Sequence, residues 1–152
     1  MTNKSKLLDI AERVEAAPGP CRELDAEICA ALRIVPGSNA DLNQWLVNWG
    51  GSFEPVTLGG ELRIAAIHPD GKMGTHWKIP IHPTASIDAA ASLMPEGRKL
   101  TSLIFKTNGK HKGEYEAWLS NGKPGQYILG YHNEPQLAVC AAALRAIAEG
   151  ME

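Results

Sequence analysis

Apolar residues recur every three or four positions in the N-terminal third of the chain, which predicts a series of helices. The segment Leu7 to Glu15 places its aliphatic side chains on one helical face, and the A-P-G-P turn at Ala17 to Pro20 ends it. A second helix begins near Arg22, with acidic residues in its first turn where the helix dipole favours them, and ends at Pro36. A third helix is predicted over residues 41–49.

Helical spacing returns twice in the second half of the chain. Ser86 to Met94 is a short, alanine-rich helix with Thr84 or Ser86 as its N-cap residue. The last helix has Asn133 as its N-cap and Pro135 in its first turn, and apolar side chains recur along one of its faces. We expect this last helix to be a main element of the core.

Strand-like segments occupy the stretch between these two helices. Three strands are predicted at Leu100 to Thr107, Tyr115 to Ser120 and Gln126 to Tyr131. The first link contains Asn-Gly and the second reads S-N-G-K-P-G, and both are typical of tight turns between antiparallel strands. The three strands therefore form an antiparallel meander.

Residues 52–83 are the least regular part of the pattern. Leu62 to Ile67 and Trp77 to Ile81 read as strands on either side of an H-P-D-G turn, so this stretch is either a long ordered loop or extra strands. Taken together, the elements predict the α+β class. We expect an α-β-α layered single domain over residues 1–152, in which helices cover an antiparallel sheet of three to five strands.

The composition is that of an ordinary globular protein, since 44% of the 152 residues are apolar and 21% are charged. No apolar run approaches the roughly 18 residues that a membrane-spanning helix needs, so we expect no membrane partner. The three cysteines form no C-x-x-C pair. Cys29 and Cys140 lie among alanines, which predicts reduced thiols in the core and a cytoplasmic location.

The charge is small overall but unevenly distributed. The formal net charge is −2, so the chain as a whole carries no polyelectrolyte signal for nucleic acid or membrane. Residues 1–60 carry eight acidic and five basic residues, whereas the stretch from Arg98 to Lys123 carries six basic residues and two acidic ones. The predicted meander is therefore locally basic.

Familiar catalytic and metal-binding patterns are missing from the sequence. It contains no G-x-S-x-G, H-E-x-x-H, Walker loop or G-x-G-x-x-G. Of the five histidines, the first three, His68, His76 and His82, are too irregularly spaced for a metal-binding helix or knuckle. We therefore expect no metal, no cofactor and no enzymatic activity.

The basic meander is the strongest candidate for a functional site. Its lysines and histidine fall at strand ends or turns, with aromatic residues on the neighbouring strands, a combination that binds phosphates and stacks on bases. A solvated hairpin with inward-packed aromatic rings is the alternative. The candidate ligand-binding residues are Lys106, Lys110, His111, Lys112, Trp118, Lys123 and Tyr127.

Three segments carry a resemblance to a known family. The runs P-C-R-E-L-D-A-E-I from Pro20, T-A-S-I-D-A-A-A-S-L-M-P-E-G from Thr84 and L-A-V-C-A-A-A-L-R-A from Leu137 resemble small phage and prophage proteins of the phage ABA sandwich domain family. The three runs together contain 33 of the 152 residues, about a fifth of the chain. The resemblance implies an α-β-α layered domain of phage or prophage origin, and it brings no catalytic residues with it.

Phage origin, small size and the lack of catalytic signatures favour a counter-defence binding protein in the cytoplasm of an infected or lysogenic bacterium. In the first hypothesis the protein sequesters a small anionic nucleotide signal, either as a monomer or as a homo-oligomer. The basic residues supply charge, and Trp118 or Tyr127 stacks on the base. This hypothesis predicts that charge reversal at Lys110 and Lys112 abolishes ligand binding.

Two alternatives stay open. The protein inhibits a host defence protein directly, its acidic N-terminal helices engaging a basic groove, or it cleaves a phosphodiester, with His111 or His132 acting together with Glu114 or Glu116. We expect no nucleic-acid partner. A double-stranded RNA-binding domain needs lysines at the start of its last helix, and this helix starts with N-E-P-Q.

Overall fold

The computed structural model describes residues 2–34 and 48–151, which belong to two compact units. The terminal unit comprises Met1–Cys21 and His82–Glu152, and the inserted unit comprises Arg22–Ile81. No helix in the described ranges is long and apolar enough to cross a membrane. The single-domain organisation stays a prediction.

The inserted unit packs a helix against an antiparallel sheet. Helix α2 spans Arg22–Leu32, and the strands β1 (Ser52–Leu58), β2 (Glu61–Ile67) and β3 (Met73–Lys78) follow one another in the sheet in the order β1-β2-β3. Residues 52–83 therefore contribute extra strands rather than a long loop. The predicted strand at Leu62 to Ile67 is confirmed.

The strand predicted at Trp77 to Ile81 is wrong in its bounds. The pairing of β3 with β2 ends at Lys78, opposite Arg63, and Pro80 follows two residues later. Proline has no N–H to donate to a neighbouring strand, which explains why the strand ends before it. Strand β1 was not predicted.

Helix α2 packs its small side chains against one face of this sheet. The Phe53 and Trp77 rings of that face are stacked with their centroids 6.0 Å apart. Burial raises the pKa of the Cys29 thiol to about 12, which makes it an inert core side chain. The buried residues of this cluster are Ala26, Cys29, Ala30, Phe53, Ile64, Ala66 and Ile79.

Helix α2 ends earlier than the sequence pattern indicated. Arg33 adopts a left-handed backbone with φ of 55°, and the N–H of Ile34 donates to the Cys29 carbonyl at 2.9 Å. This arrangement is a Schellman cap, which stops the helix before Pro36 is reached. The Arg33 guanidinium lies 5.2 Å from the centre of the Phe53 ring, a contact that offsets part of the cost of the left-handed conformation.

The terminal unit combines three helices with the predicted meander. The three strands form one antiparallel sheet in the order β4-β5-β6. Strand β5 has the predicted bounds, and the other two are shifted by one or two residues at their ends. The elements are α1 (Asn3–Ala16), α3 (Ile87–Ser92), β4 (Lys99–Phe105), β5 (Tyr115–Ser120), β6 (Tyr127–His132) and α4 (Pro135–Glu149).

Helix α4 is the central element of this unit, as the sequence predicted. It lies directly on the sheet and also contacts α1 and α3. Ten of its residues are buried, among them Cys140. Gly130 of β6 lies so close to α4 that a Cβ there would overlap the Ala138 carbonyl oxygen and approach the Ala142 nitrogen to 2.7 Å. The sheet and α4 therefore meet without room for another atom.

The helix caps are partly as predicted. Ser86 caps α3 by accepting from the Ala89 N–H at 3.3 Å, whereas Thr84 is buried and bonds the backbone of Cys21. The N-cap of α4 is Glu134 and not Asn133, and it makes no side-chain cap bond.

The α+β class is confirmed, with helices packed on antiparallel sheets. The described strands lie in two three-stranded sheets rather than in one sheet of three to five strands. The helix predicted over residues 41–49 falls almost entirely on residues 35–47, which are outside the described residues.

Candidate ligand-binding face

The strand register of the terminal sheet assigns alternate residues to two faces. Ala117 of β5 lies opposite Gly130 of β6, and both face helix α4. Trp118 therefore lies on the other face, because successive side chains of a strand point in opposite directions. Helices α1 and α3 of the terminal unit pack against α4. We call the side that carries Trp118 the open face.

Two aromatic side chains form a pair on the open face. The rings of Trp118 and Tyr127 are tilted by 60° with their centroids 4.9 Å apart, and Tyr127 is 44% exposed. Ile104 of the neighbouring strand β4 lies on the same face and is 45% exposed. The pair offers a planar aromatic surface beside an apolar one, which is the kind of surface on which a nucleobase stacks.

A buried carboxylate, that of Glu116, lies at the other end of the open face, towards the β4–β5 loop. Glu116 is 7% exposed. The Oε1 atom of Glu116 accepts a hydrogen bond from the indole N–H of Trp118 at 2.5 Å and lies 4.0 Å from the Lys106 ammonium. Tyr131, the cross-strand partner of Glu116, also forms a hydrogen bond to this carboxylate. Burial is the largest single influence on the pKa of Glu116 and raises it. The hydrogen bonds and the nearby Lys106 and His111 outweigh burial, so the pKa lies below its ordinary value.

Tyr131 shows the other side of the same interaction. Burial, its hydrogen bond to Glu116 and the charge of that carboxylate raise the pKa of Tyr131 to about 12. The tyrosine therefore stays protonated and donates to Glu116 throughout the physiological range. The Glu116 carboxylate and the Tyr131 hydroxyl therefore link β5 to β6 on the open face.

His111 covers the Tyr131 ring. The two rings are nearly parallel, at 9°, with their centroids 3.6 Å apart. The Nδ1 atom of His111 lies 2.9 Å from Oε1 of Glu114, which fixes the orientation of the imidazole. His111 therefore anchors the loop between β4 and β5 onto the open face.

The structure divides the predicted site residues between two ends of β5. Lys106, Lys110, His111 and Lys112 lie at the β4–β5 loop, and Lys123 lies in the β5–β6 hairpin beside the Trp118–Tyr127 pair. The two ends are separated by the length of β5, about 17 Å at the usual rise per residue. Lys106 is engaged by Glu116 and His111 by Glu114, whereas Lys110, Lys112 and Lys123 are exposed and have no carboxylate partner among the described residues.

Lys112 borders an open groove of about 390 Å³ that also contains His132 and Glu15. His132 is 3% exposed. Its Nε2 lies 2.6 Å from the Ala17 carbonyl, and its Nδ1 accepts the N–H of Glu134 at 2.9 Å. Both ring nitrogens are thus engaged with the backbone, and His132 ties the end of α1 to the start of α4 instead of presenting a nitrogen to a substrate.

An ion pair binds the backbone at the outer edge of β6. Glu15 of α1 and Arg145 of α4 form a two-contact salt bridge. Glu15 also accepts the Tyr131 N–H at 2.7 Å, and Arg145 donates to the Leu129 carbonyl at 3.1 Å. The hydrogen bonds to Glu15 raise the pKa of Arg145 above its ordinary value. Two backbone groups of this edge, the Tyr131 N–H and the Leu129 carbonyl, are therefore occupied by side chains.

Sequence reasoning missed Tyr131 as part of the candidate site. The signal was available, because Tyr131 lies four positions from Tyr127 and so shares its face of the strand. Glu15 and Arg145 are separated by 130 positions, and no local pattern links them.

No family model, no curated protein and no solved structure matches this chain. Within residues 2–34 and 48–151, no three histidine, cysteine or acidic side chains are grouped so that they could hold a metal ion.

Proposed function

We propose that this protein is a non-enzymatic binding protein that sequesters a small anionic nucleotide on the open face. The observation that carries the proposal is the Trp118–Tyr127 pair, in which Tyr127 is 44% exposed. Base–aromatic stacking contributes about 1–3 kcal/mol per base.

The charges next to this pair favour a small anion. Lys123 lies in the hairpin of residues 121–126, which joins the strands of the two aromatic residues. Its ammonium has no carboxylate partner among the described residues, so it can pair with a phosphate. One aromatic pair and one adjacent lysine suit a ligand of one or two bases better than a long strand.

The resemblance to phage ABA sandwich proteins supplies the biological setting of the proposal. A phage- or prophage-encoded protein that removes a nucleotide signal in the bacterial cytoplasm would act against host defence. The Glu116–Tyr131 contact and the engagement of both ring nitrogens of His132 with the backbone favour binding over phosphodiester cleavage, because these groups are committed to structural bonds.

Thermal melting against a panel of linear and cyclic nucleotides tests this proposal. A ligand that binds only the folded state raises the melting temperature by mass action. We expect one nucleotide or a related set to raise it selectively and to be recovered unchanged. Consumption of the compound would indicate an enzyme, and a panel without any shift would contradict nucleotide binding.

Charge reversal then locates the phosphate. Lys123→Glu is expected to weaken binding of the selected nucleotide, whereas the double variant Lys110→Glu/Lys112→Glu is the matched control at the far end of β5. Abolition of binding by the double variant, as the sequence alone predicted, would instead place the phosphate at the β4–β5 loop.

A further inference from the structure

The two outer edges of the terminal sheet differ in what satisfies their backbone groups. The edge of β6 is occupied by Glu15 and Arg145, which bond the Tyr131 N–H and the Leu129 carbonyl. The edge of β4 has no comparable side-chain clamp among the described residues. An exposed strand edge is a template for another extended chain.

The hydrogen-bond pattern identifies which groups of β4 point outward. Lys106 donates its N–H to the Glu114 carbonyl at 2.8 Å, and Ile104 is paired with Glu116 in the same register. Residues 104 and 106 therefore face β5, and the backbone groups of Leu103 and Phe105 face away from it. No hydrogen bond within the described chain engages these outward groups.

The side chains along this edge are apolar and exposed. Ile104 is 45% exposed and Phe105 is 52% exposed, on opposite faces of the strand. The Phe105 ring makes an edge-to-face contact with Tyr115, with their centroids 5.2 Å apart, which holds it at the rim of the sheet. A strand added beside β4 would cover one of these side chains on each face.

The sequence segment that contains this edge is basic. Residues 98–113 contain five basic residues and no acidic one. Arg98 pairs with Glu149, Lys106 lies 4.0 Å from Glu116, and Lys112 borders the groove beside Glu15 and His132. Lys99 and Lys110 are exposed and have no carboxylate partner among the described residues. An incoming strand with acidic residues would therefore complement Lys99 at the start of β4 and Lys110 in the loop that follows β4.

A second copy of this chain fits the edge poorly. A two-fold pairing of Ile104 with its counterpart would bring Lys99 of one copy opposite residue 109 of the other, so two basic stretches would meet. A nucleic acid would match the charge but has no backbone N–H and C=O groups to continue the ladder. Both observations favour an acidic peptide chain.

We propose that the outer edge of β4 is a docking site for an extended, acidic segment of a partner protein, which adds to the terminal sheet as a fourth strand. Main-chain bonds to Leu103 and Phe105 provide the pairing, Ile104 and Phe105 provide apolar contacts, and the surrounding lysines select acidic side chains. The register shift between Leu100 and Ser102 limits the regular edge to residues 102–105, so the docked segment is short. This site shares Ile104 with the open face, but its main-chain groups at Leu103 and Phe105 are not part of the nucleotide site, so the two proposals are tested by different variants.

The experiment uses random dodecapeptides displayed as a library and selected on the full chain. We expect the selected peptides to alternate apolar residues and to carry aspartate or glutamate. Hydrogen exchange of the wild-type complex should slow at the Leu103 and Phe105 amides and not at the Tyr131 amide, which Glu15 already holds. Phe105→Pro, which removes an outward N–H and no bond to β5, should weaken peptide binding by about tenfold or more.

Phe105→Ala is the matched control, because it shortens the side chain and keeps the N–H. It should lose less affinity than Phe105→Pro. The proposal is overturned if no acidic peptides are selected, if they bind Phe105→Pro as tightly as wild type, or if the two amides stay unprotected in the wild-type complex. A single-stranded oligonucleotide that displaces the peptides and leaves the two amides exchanging rapidly would also overturn it, in favour of a nucleic-acid surface.

Discussion

The two faces of the terminal sheet use alternate residues of the same strands for different purposes. On the α4 side, Ala117, Leu119 and Gly130 are small or apolar and fully buried. On the open face, Trp118 and Tyr127 are large and aromatic, and Tyr127 is 44% exposed. Two neighbouring positions on one strand therefore lie in opposite environments.

Because of this difference, we expect the residues that stabilise the fold and the residues that bind the ligand to lie on opposite faces of the sheet. The α4 side has no space to spare, so its residues are fixed by packing. The open face has one end in which Glu116 and Tyr131 satisfy each other and another end in which the Trp118–Tyr127 pair meets solvent. A substitution on the α4 side should therefore alter stability, and one at the aromatic end should alter binding.

The largest effect is expected from Gly130→Ala. The new methyl group would overlap the Ala138 carbonyl oxygen, and neither backbone can yield without moving α4 off the sheet. We expect a loss of about 3 kcal/mol in the free energy of unfolding, or no folded protein. Gly50→Ala is the control, because a Cβ there meets nothing within 4 Å, and urea unfolding should show almost no change. Equal stability of the two variants would contradict the tight α4 contact.

Glu116→Ala should have the next largest effect. It leaves the Trp118 indole N–H and the Tyr131 hydroxyl without their acceptor and Lys106 without its counter-charge. We expect a loss of about 2 kcal/mol in the free energy of unfolding. Glu114→Ala removes a carboxylate that is one-third exposed and that bonds only His111 among the described residues, so it should cost less than about 1 kcal/mol. A larger loss for Glu114→Ala than for Glu116→Ala would reverse this assignment.

In contrast to these two substitutions, which lower stability, Tyr127→Ala should reduce nucleotide binding without reducing stability. Removal of one exposed stacking surface is expected to weaken the selected nucleotide by about tenfold. The melting temperature without ligand should stay within a few degrees of wild type, because the ring is 44% exposed. Isothermal titration and a melting curve measure the two effects separately. Unchanged affinity would show that the ligand lies elsewhere.

The smallest effect is a shift in the titration of Tyr131. Its pKa of about 12 exceeds the ordinary value of about 10, so the wild type loses stability as the pH rises from 10 to 12. Glu116→Gln removes the charge that helps to raise this pKa, while burial remains. We expect the phenolate absorbance at alkaline pH to develop at a lower pH in the variant. A midpoint that does not move would mean that burial alone sets the pKa.

The sequence pattern predicted those elements whose signals are local. Strand β5 has its predicted bounds because turn-forming residues lie on both sides of it. Strand β1 escaped prediction because Pro55 lies in its middle, which an edge strand tolerates since one side of it needs no N–H. The end of α2 was misplaced because Arg33, not a glycine, adopts the left-handed conformation.

The candidate site was predictable only in part, for a different reason. Trp118 and Tyr127 could be named from composition and strand pattern, and the structure places their rings in contact. The contacts of Lys106 and Tyr131 with Glu116 depend on strand register. The Glu15–Arg145 ion pair at the edge of β6 joins residues that are 130 positions apart. A sequence read without register cannot separate basic residues that are already paired from those that remain exposed.

The most direct test is an NMR titration that follows the tryptophan indole N–H resonances, with Trp118 assigned through Trp118→Phe. The nucleotide that most raises the melting temperature is added to the wild-type protein. We predict that the Trp118 resonance shifts and saturates with the ligand while that of Trp77, in the inserted unit, stays in place. A ligand that binds without moving the Trp118 resonance, or a panel in which no nucleotide raises the melting temperature, would contradict the assignment of the open face as the binding site.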